Sequence, residues 1–490
     1  MRKFLLAPSL FTVMAAAQTA PLTPAQALSR LWSGPVQAEW FSPDFLTQVP
    51  LNTIQAQFSS IGQAYGAFVR AEESGGQWRL VFERGSLLVT SFGVDAQGRV
   101  TTFGAVPAAQ APVSLSDAQK QLGQDVLGRL FAADPLDLSL LSPEFLLVIP
   151  EAELRLSVGR LRERLGALRE VTATDMGWRL VFERGAVPVS LLQVGPDGKI
   201  TGLRFLPPEF DLTSVAQARD AFAALPGRVS LLVQQVGGPT LTELNASRPL
   251  AVGSTFKLAV LGEVQAQVSA GRLRWNDEIE LTDARRSLPS GTLQDAPAGS
   301  RYTVADLARR MISMSDNTAT DLLLERVGRS GVEARLGQSA IPSTREAFAL
   351  KNPVNADLLR AYRAAGLNRP ARRDVLAQAA TAPLPPASAF THGPLAADVE
   401  WFVSTRRLCT LMADVAASPV TQINPGVAVR EDFGQVSFKG GSEPGVMNLT
   451  TQVTTKAGQR LCVSATWNDA RALDEGTFMG LYGSLLRLLR

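Results

Sequence analysis

The chain has 490 residues, 46% hydrophobic and 19% charged, with a formal net charge of +3. That is room for about three domains of ordinary size and ample apolar material for their cores, which excludes a disordered protein. The mild charge, with no dense Lys/Arg run and no basic-aromatic interleaving, argues against nucleic acid as a partner, and pairs such as Arg285-Arg286 read as solvated faces.

The first residues are M-R-K, followed by an apolar run from Phe4 to Met14 and then Ala15-Ala16-Ala17. This is the charge, core and small-residue order of a secretory signal, so residues 1–17 are expected to be cleaved and the protein exported, periplasmic or secreted. The run is shorter than the roughly 20 residues of a membrane span and no later segment qualifies, so no span is expected after cleavage. An uncleaved N-terminal anchor is the alternative.

Comparing the chain with itself at an offset of 100 residues finds W-R-L-V-F-E-R-G twice, from Trp78 to Gly85 and from Trp178 to Gly185. F-S-P-D-F-L at Phe41 to Leu46 answers L-S-P-E-F-L at Leu141 to Leu146, and Pro50, Val94 and Gly98 fall in step with Pro150, Val194 and Gly198. Two copies of one unit are therefore expected, at 24–108 and 112–208. Each opens with helical spacing: Leu51, Ile54, Phe58 and Ile61 in the first, Leu154, Val158, Leu161, Leu165 and Leu168 in the second. Strands follow at Trp178 to Phe182, Val187 to Val194 and Ile200 to Phe205, with Pro196-Asp197-Gly198 as a hairpin turn. This order of helices before an antiparallel sheet resembles the NTF2/steroid-isomerase-like folds. The repeated block holds no histidine and no acid-base pair, so it reads as a spacer or docking module; Glu83, Arg84, Glu183 and Arg184 read as strand ends. Pro208 to Thr213 reads as the hinge into the last domain, 212–490.

That domain starts with a helix and two strands, the first from Arg228 to Val236, and ends with strands at Gly434 to Phe438, Val446 to Thr454 and Leu461 to Trp467 and a last helix. A mostly helical centre is thus flanked by sheet from both chain ends. In the stretch A-V-G-S-T-F-K-L-A-V-L-G, Ser254 and Lys257 share a helix face, and the helix runs on through Leu258, Leu261 and Val264 toward Gly271. Its first turn directs unpaired N–H groups at whatever Ser254 attacks. Two further motifs follow: S-D-N at Ser315, Asp316 and Asn317, and K-G-G at Lys439, Gly440 and Gly441. The chain has one histidine, His392, which speaks against a histidine-ligated metal or a Ser-His-Asp triad. Its two cysteines, Cys409 and Cys462, are either a disulfide or two buried thiols.

S-x-x-K, S-D-N and K-G-G in this order resemble the penicillin-recognising serine enzymes, the class A β-lactamases and penicillin-binding proteins. The resemblance implies an α+β chain: a β-lactamase-like sandwich of antiparallel sheet and helices, preceded by two small α+β domains. It also implies Ser254 as nucleophile, Lys257 as its base, Ser315 as proton relay and Lys439 as a cation for the substrate carboxylate. Asn317, Gly440, Gly441 and Ser442 would bind substrate, the backbone N–H groups of Ser254 and Ser442 taking the oxyanion. Asp316 would be structural.

Two departures stand out. Gly440 replaces the hydroxyl residue of the commoner K-T-G. No E-x-x-L-N string lies between Asn317 and Lys439; Glu346, in S-T-R-E-A-F-A-L-K, is the candidate deacylation base, with a surface-loop acid as the alternative. An added Ala/Pro-rich stretch, Asn368 to Ala397, reads as a lid, a partner surface or a tolerated insertion, and the aromatics of D-V-E-W-F-V-S (Asp398 to Ser404) as core or site wall. The expected activity is β-lactam hydrolysis through a serine acyl-enzyme, on a β-lactam or a peptidoglycan-like peptide or ester, with no metal or organic cofactor. A D-Ala-D-Ala carboxypeptidase or esterase, a penicilloyl-binding sensor and a structural cell-wall protein are the rivals.

Overall fold

The computed structural model describes residues 22–74, 77–83, 85–107, 115–132, 136–174, 177–390 and 393–490. The expected signal segment, residues 1–17, and Arg84 and His392 lie outside the described residues, and all that follows concerns the residues within them. The fold class is α+β, as the sequence implies.

Two front segments show one order of elements. Helices Leu51–Tyr65 and Glu151–Leu165 are each followed by an antiparallel run of four strands. These are Phe68–Ser74, Gln77–Phe82, Gly85–Val94 and Val100–Pro107 in the first, and Leu168–Thr174, Gly177–Phe182, Gly185–Val194 and Ile200–Phe205 in the second. The helical spacing that takes in Leu168 overruns the element. Gly166 stops the helix at φ +85°, a backbone conformation that costs an L side chain, and Leu168 already opens a strand. Leu154, Val158 and Leu165 pack against Leu180, Val187 and Ile200 to make the core of this unit. The expected hinge also differs: Glu209–Phe210 is a short strand paired with Gly185 and Ala186, and Phe210 N donates to Ser484 Oγ at 2.9 Å.

The C-terminal part is built on a five-stranded antiparallel sheet with strands β1 (Arg228–Gln235), β2 (Thr240–Leu244), β3 (Gln435–Glu443), β4 (Val446–Thr454) and β5 (Arg460–Asn468), in the order β2-β1-β5-β4-β3. Strands from both chain ends therefore share one sheet, and β3 is its edge. The helices that matter here are α1 (Lys257–Ser269), α2 (Val304–Ser313), α3 (Asn317–Val327), α4 (Thr344–Lys351), α5 (Thr405–Val415) and α6 (Glu475–Arg487). Helix α6 covers one face of the sheet, where Phe478, Leu481, Tyr482 and Leu485 meet Val229, Leu231 and Trp467. Each such fully buried side chain contributes about 1.5–3 kcal/mol relative to exposure.

The opposite face carries the helical layer. Helix α1 is buried along almost all its sides and forms the middle of a core with Leu307, Met311, Leu322, Leu323 and Met412. Helix α5 is tied to the sheet covalently, because Cys409 and Cys462 of β5 form a disulfide with Cα atoms 5.8 Å apart. Closing a loop of this size contributes about 4 kcal/mol in the chain-entropy account. No helix among the described residues is long and apolar enough to cross a membrane.

Candidate active site

The S-x-x-K stretch does not begin as an α-helix. Gly253–Phe256 is a 3₁₀ turn that carries Ser254, and Lys257 is the first residue of α1. Two contacts hold the turn: Val252 N donates to Trp401 O at 3.1 Å, and the Phe256 ring stacks on Trp401 at 3.9 Å between centroids.

Lys257 is fully buried, and its Nζ donates to Ser315 O at 2.5 Å, Asn317 Oδ1 at 2.7 Å and Ser315 Oγ at 3.2 Å. Burial lowers its pKa to about 7, against the opposing pull of Asp316 and Asp321. Lys439 Nζ reaches the same hydroxyl, donating to Ser315 Oγ at 3.0 Å and also to Gly440 O. Burial first, and then the neighbouring Lys257, hold Lys439 well below the usual lysine range. One hydroxyl thus sits between two lysine amines.

Ser315 adopts φ +58°, the left-handed region that a non-glycine residue enters only when its surroundings force it. The surroundings are specific. Asp316 caps α3 through Ala319 N and also accepts from Thr292 N and Leu293 N, while Ser290 Oγ donates to Ser315 O at 2.7 Å. Asn317 is pinned on the other side, its Nδ2 donating to Leu288 O at 3.1 Å.

Strand β3 completes the arrangement. A Cβ at Gly441 would lie 2.5 Å from Ser254 N and 2.6 Å from Thr255 N, and one at Gly253 would lie 3.2 Å from Ser442 N. The nucleophile turn and the glycine edge are in backbone contact. Around them is a cavity of about 550 Å³ lined by Ser254, Ser315, Asn317, Lys439, Gly440, Gly441 and Ser442. Every one of these was named from sequence except as to position in space.

The comparisons with known proteins come down on this part of the chain: residues 213–379 match the model of the β-lactamase enzyme family. The similarity to that family lies on this segment. The match takes in Ser254, Lys257 and Ser315 to Asn317 and stops before Lys439. Among solved structures, the β-lactamase of Sphaerobacter thermophilus is 22% identical, covering 56% of this chain and 94% of its own, with a TM-score of 0.40. For the β-lactamase of Chitinophaga pinensis the values are 17%, 56%, 97% and 0.41, and for the protein PBP-A 18%, 58%, 97% and 0.38.

Within residues 213–379, Glu346 is not among the residues that line the cavity. Both its oxygens accept from Arg329, and it closes a capping box with Ser343 at the start of α4, its Oε2 taking Ser343 N at 2.8 Å. Glu346→Gln is expected to lower thermal stability, because a buried pair that loses one charge costs about 3–5 kcal/mol, and to leave the ratio of deacylation to acylation unchanged. Melting curves beside single-turnover kinetics check both halves.

Residues that no motif announces also line the cavity: Ser290, Phe348, Phe390, Asn424, Glu400 and Glu443. Trp401, in the D-V-E-W-F-V-S stretch, is both core and wall, 6% exposed and stacked on the nucleophile turn.

Proposed function

We propose that the protein is an exported serine hydrolase that forms an acyl-enzyme on Ser254, with β-lactams as the first substrate class. The observation that carries this reading is the Ser315 hydroxyl held between Lys257 and Lys439, with Lys257 poised at a pKa of about 7. In this reading neutral Lys257 takes the Ser254 proton as Oγ attacks the lactam carbonyl. The oxyanion falls to the backbone N–H groups of Ser254 and Ser442, and Ser315 passes the proton on to the leaving nitrogen. Lys439 answers the substrate carboxylate, Asn317 a substrate amide, and the open edge of β3 accepts the substrate as an added strand. Segments 24–108 and 112–208 are proposed as two non-catalytic modules ahead of the hydrolase domain, 212–490.

A second reading, a slow acyl-enzyme former of the D-Ala-D-Ala carboxypeptidase or esterase kind, is favoured by Glu346 being committed to Arg329. Intact-protein mass spectrometry after mixing with benzylpenicillin separates the two. A lactam adduct on the wild type and none on Ser254→Ala is the expected result. Decay of the adduct with release of hydrolysed drug identifies a β-lactamase, and persistence the slower class. No adduct with any lactam, ester or D-Ala-D-Ala substrate would overturn both.

A further inference from the structure

Behind the cavity wall lies a charge cluster that the acyl-transfer chemistry does not use. Lys351, the last residue of α4, donates from Nζ to Glu400 Oε1 at 2.8 Å and also to Glu443. Two carboxyl groups therefore face one ammonium. The Lys351 and Glu400 side chains are each 1% exposed and Glu443 15%, and both glutamates line the cavity that holds Ser254. Glu400 Oε2 is buried without a hydrogen-bond partner. One ammonium serves both carboxyls, which leaves one carboxyl in surplus, and Glu443 is the more exposed of the two. Burial, the Glu400 charge and a hydrogen bond with Glu400 push the Glu443 carboxyl well above the usual carboxylate range, against the pull of Lys351, so that without a ligand it favours its protonated form.

The position of Glu443 gives the surplus a meaning. Strand β3 pairs with β4 without a break in register, Lys439 opposite Thr450, Gly441 opposite Asn448 and Glu443 opposite Val446. Alternation puts Lys439, Gly441 and Glu443 on one face, Lys439 and Glu443 about 13 Å apart along the strand. Gly441, midway, is the residue that touches the Ser254 amide. The Lys439 amine thus stands on one side of the nucleophile, and on the other a carboxyl that shares its one ammonium with Glu400. The Lys439 amine donates instead to Ser315 Oγ and the Gly440 carbonyl.

We infer that the cavity selects substrates carrying a carboxylate on the leaving-group side of the scissile bond and a protonated amine on the acyl side, the amine being received by Glu443. The assignment of sides rests on the acyl-enzyme reading above, with Lys439 at the carboxylate. An incoming ammonium gives the second carboxyl a cation of its own and lets Glu443 release to solvent the proton that burial favours on it, whereas a neutral side chain at the same place leaves two carboxyls on one ammonium.

Benzylpenicillin and ampicillin, which differ by one amino group on the acyl side chain, are the probes. Two quantities are measured at neutral pH: the dissociation constant on Ser254→Ala by calorimetry, and the second-order acylation rate on the wild type by mass spectrometry. Ampicillin is expected to be favoured about tenfold in each, the gain of one charge-assisted contact in a partly buried site. Glu443→Gln, in either background, is expected to bring the ratio to about one, and Glu443→Asp to keep part of the preference. A ratio of one in the unmodified cluster overturns the inference whatever the variants do, and so does a preference that survives Glu443→Gln. Binding of neither lactam to Ser254→Ala also overturns it. Failure of the acyl-enzyme reading looks different: no adduct on the wild type, with the amine preference in binding intact. A merely structural ion cluster would change melting temperature in Glu443→Gln without touching the ampicillin-to-benzylpenicillin ratio.

Discussion

Lys257→Met is expected to slow acylation of Ser254 about a thousandfold, within the range that removal of a general base produces. Methionine keeps much of the side-chain volume and loses the amine, so the loss reports on proton transfer more than on packing. The same amine also donates to Ser315 O, Ser315 Oγ and Asn317 Oδ1, and the variant is expected to melt at a lower temperature as well. The pH profile of the wild type separates the two effects. Burial disfavours the charged lysine and brings its pKa from 10.5 down to about 7. The base is therefore neutral above that value and protonated below it, and acylation is expected to rise as pH climbs through about 7 and to level off beyond. Lys257→Arg supplies the control, since a guanidinium stays charged at any pH the protein tolerates and cannot accept the proton. Stopped-flow or mass-spectrometric acylation rates across pH check the set. A wild-type profile flat through pH 7, or an arginine variant that acylates normally, would remove Lys257 from the role of base.

What could be read from the sequence follows how local the information is. Ser254 and Lys257 are legible because they stand three residues apart at the start of one helix, and Ser315 to Asn317 because the strained turn is encoded where it occurs. The bare edge of β3 is announced by Gly440 and Gly441. The Lys351–Glu400–Glu443 cluster had no such signature. Its members are separated by 49 and 92 residues from Lys351, each an ordinary charged residue until the fold brings them to one wall. Glu346 shows the converse. Ser343 and Glu346 are spaced as a capping box, S-x-x-E before an apolar run, and that local signal pointed to the helix start of α4 that the structure shows. Likewise helical spacing reached Leu168 because periodicity does not register that Gly166 has turned the chain. The short strand Glu209–Phe210 exists only through its tertiary partner at Gly185 and Ala186.

Gly441→Ala is expected to cut acylation by about 10²–10³, as the loss of an oxyanion donor does. The reason is steric and falls on backbone. Gly441 lies on the buried face of β3, and its added methyl would lie 2.5 Å from Ser254 N and 2.6 Å from Thr255 N, atoms that cannot rotate aside. Either the strand or the 3₁₀ turn must move, and each movement separates the Ser254 amide from Ser442. Gly440→Ala is the matched comparison one residue away. Its methyl would meet Phe438 Cζ at 2.9 Å and Leu449 Cδ2 at 3.3 Å, the ends of side chains that can yield. That variant is expected to retain acylation to within about threefold, as a side-chain adjustment costs less than a shift of main chain. Adduct formation with benzylpenicillin, timed for both variants and set beside their melting curves, makes the comparison. Equal rates in the two variants would mean that the contact between β3 and the Ser254 turn is packing alone and that the oxyanion is held elsewhere.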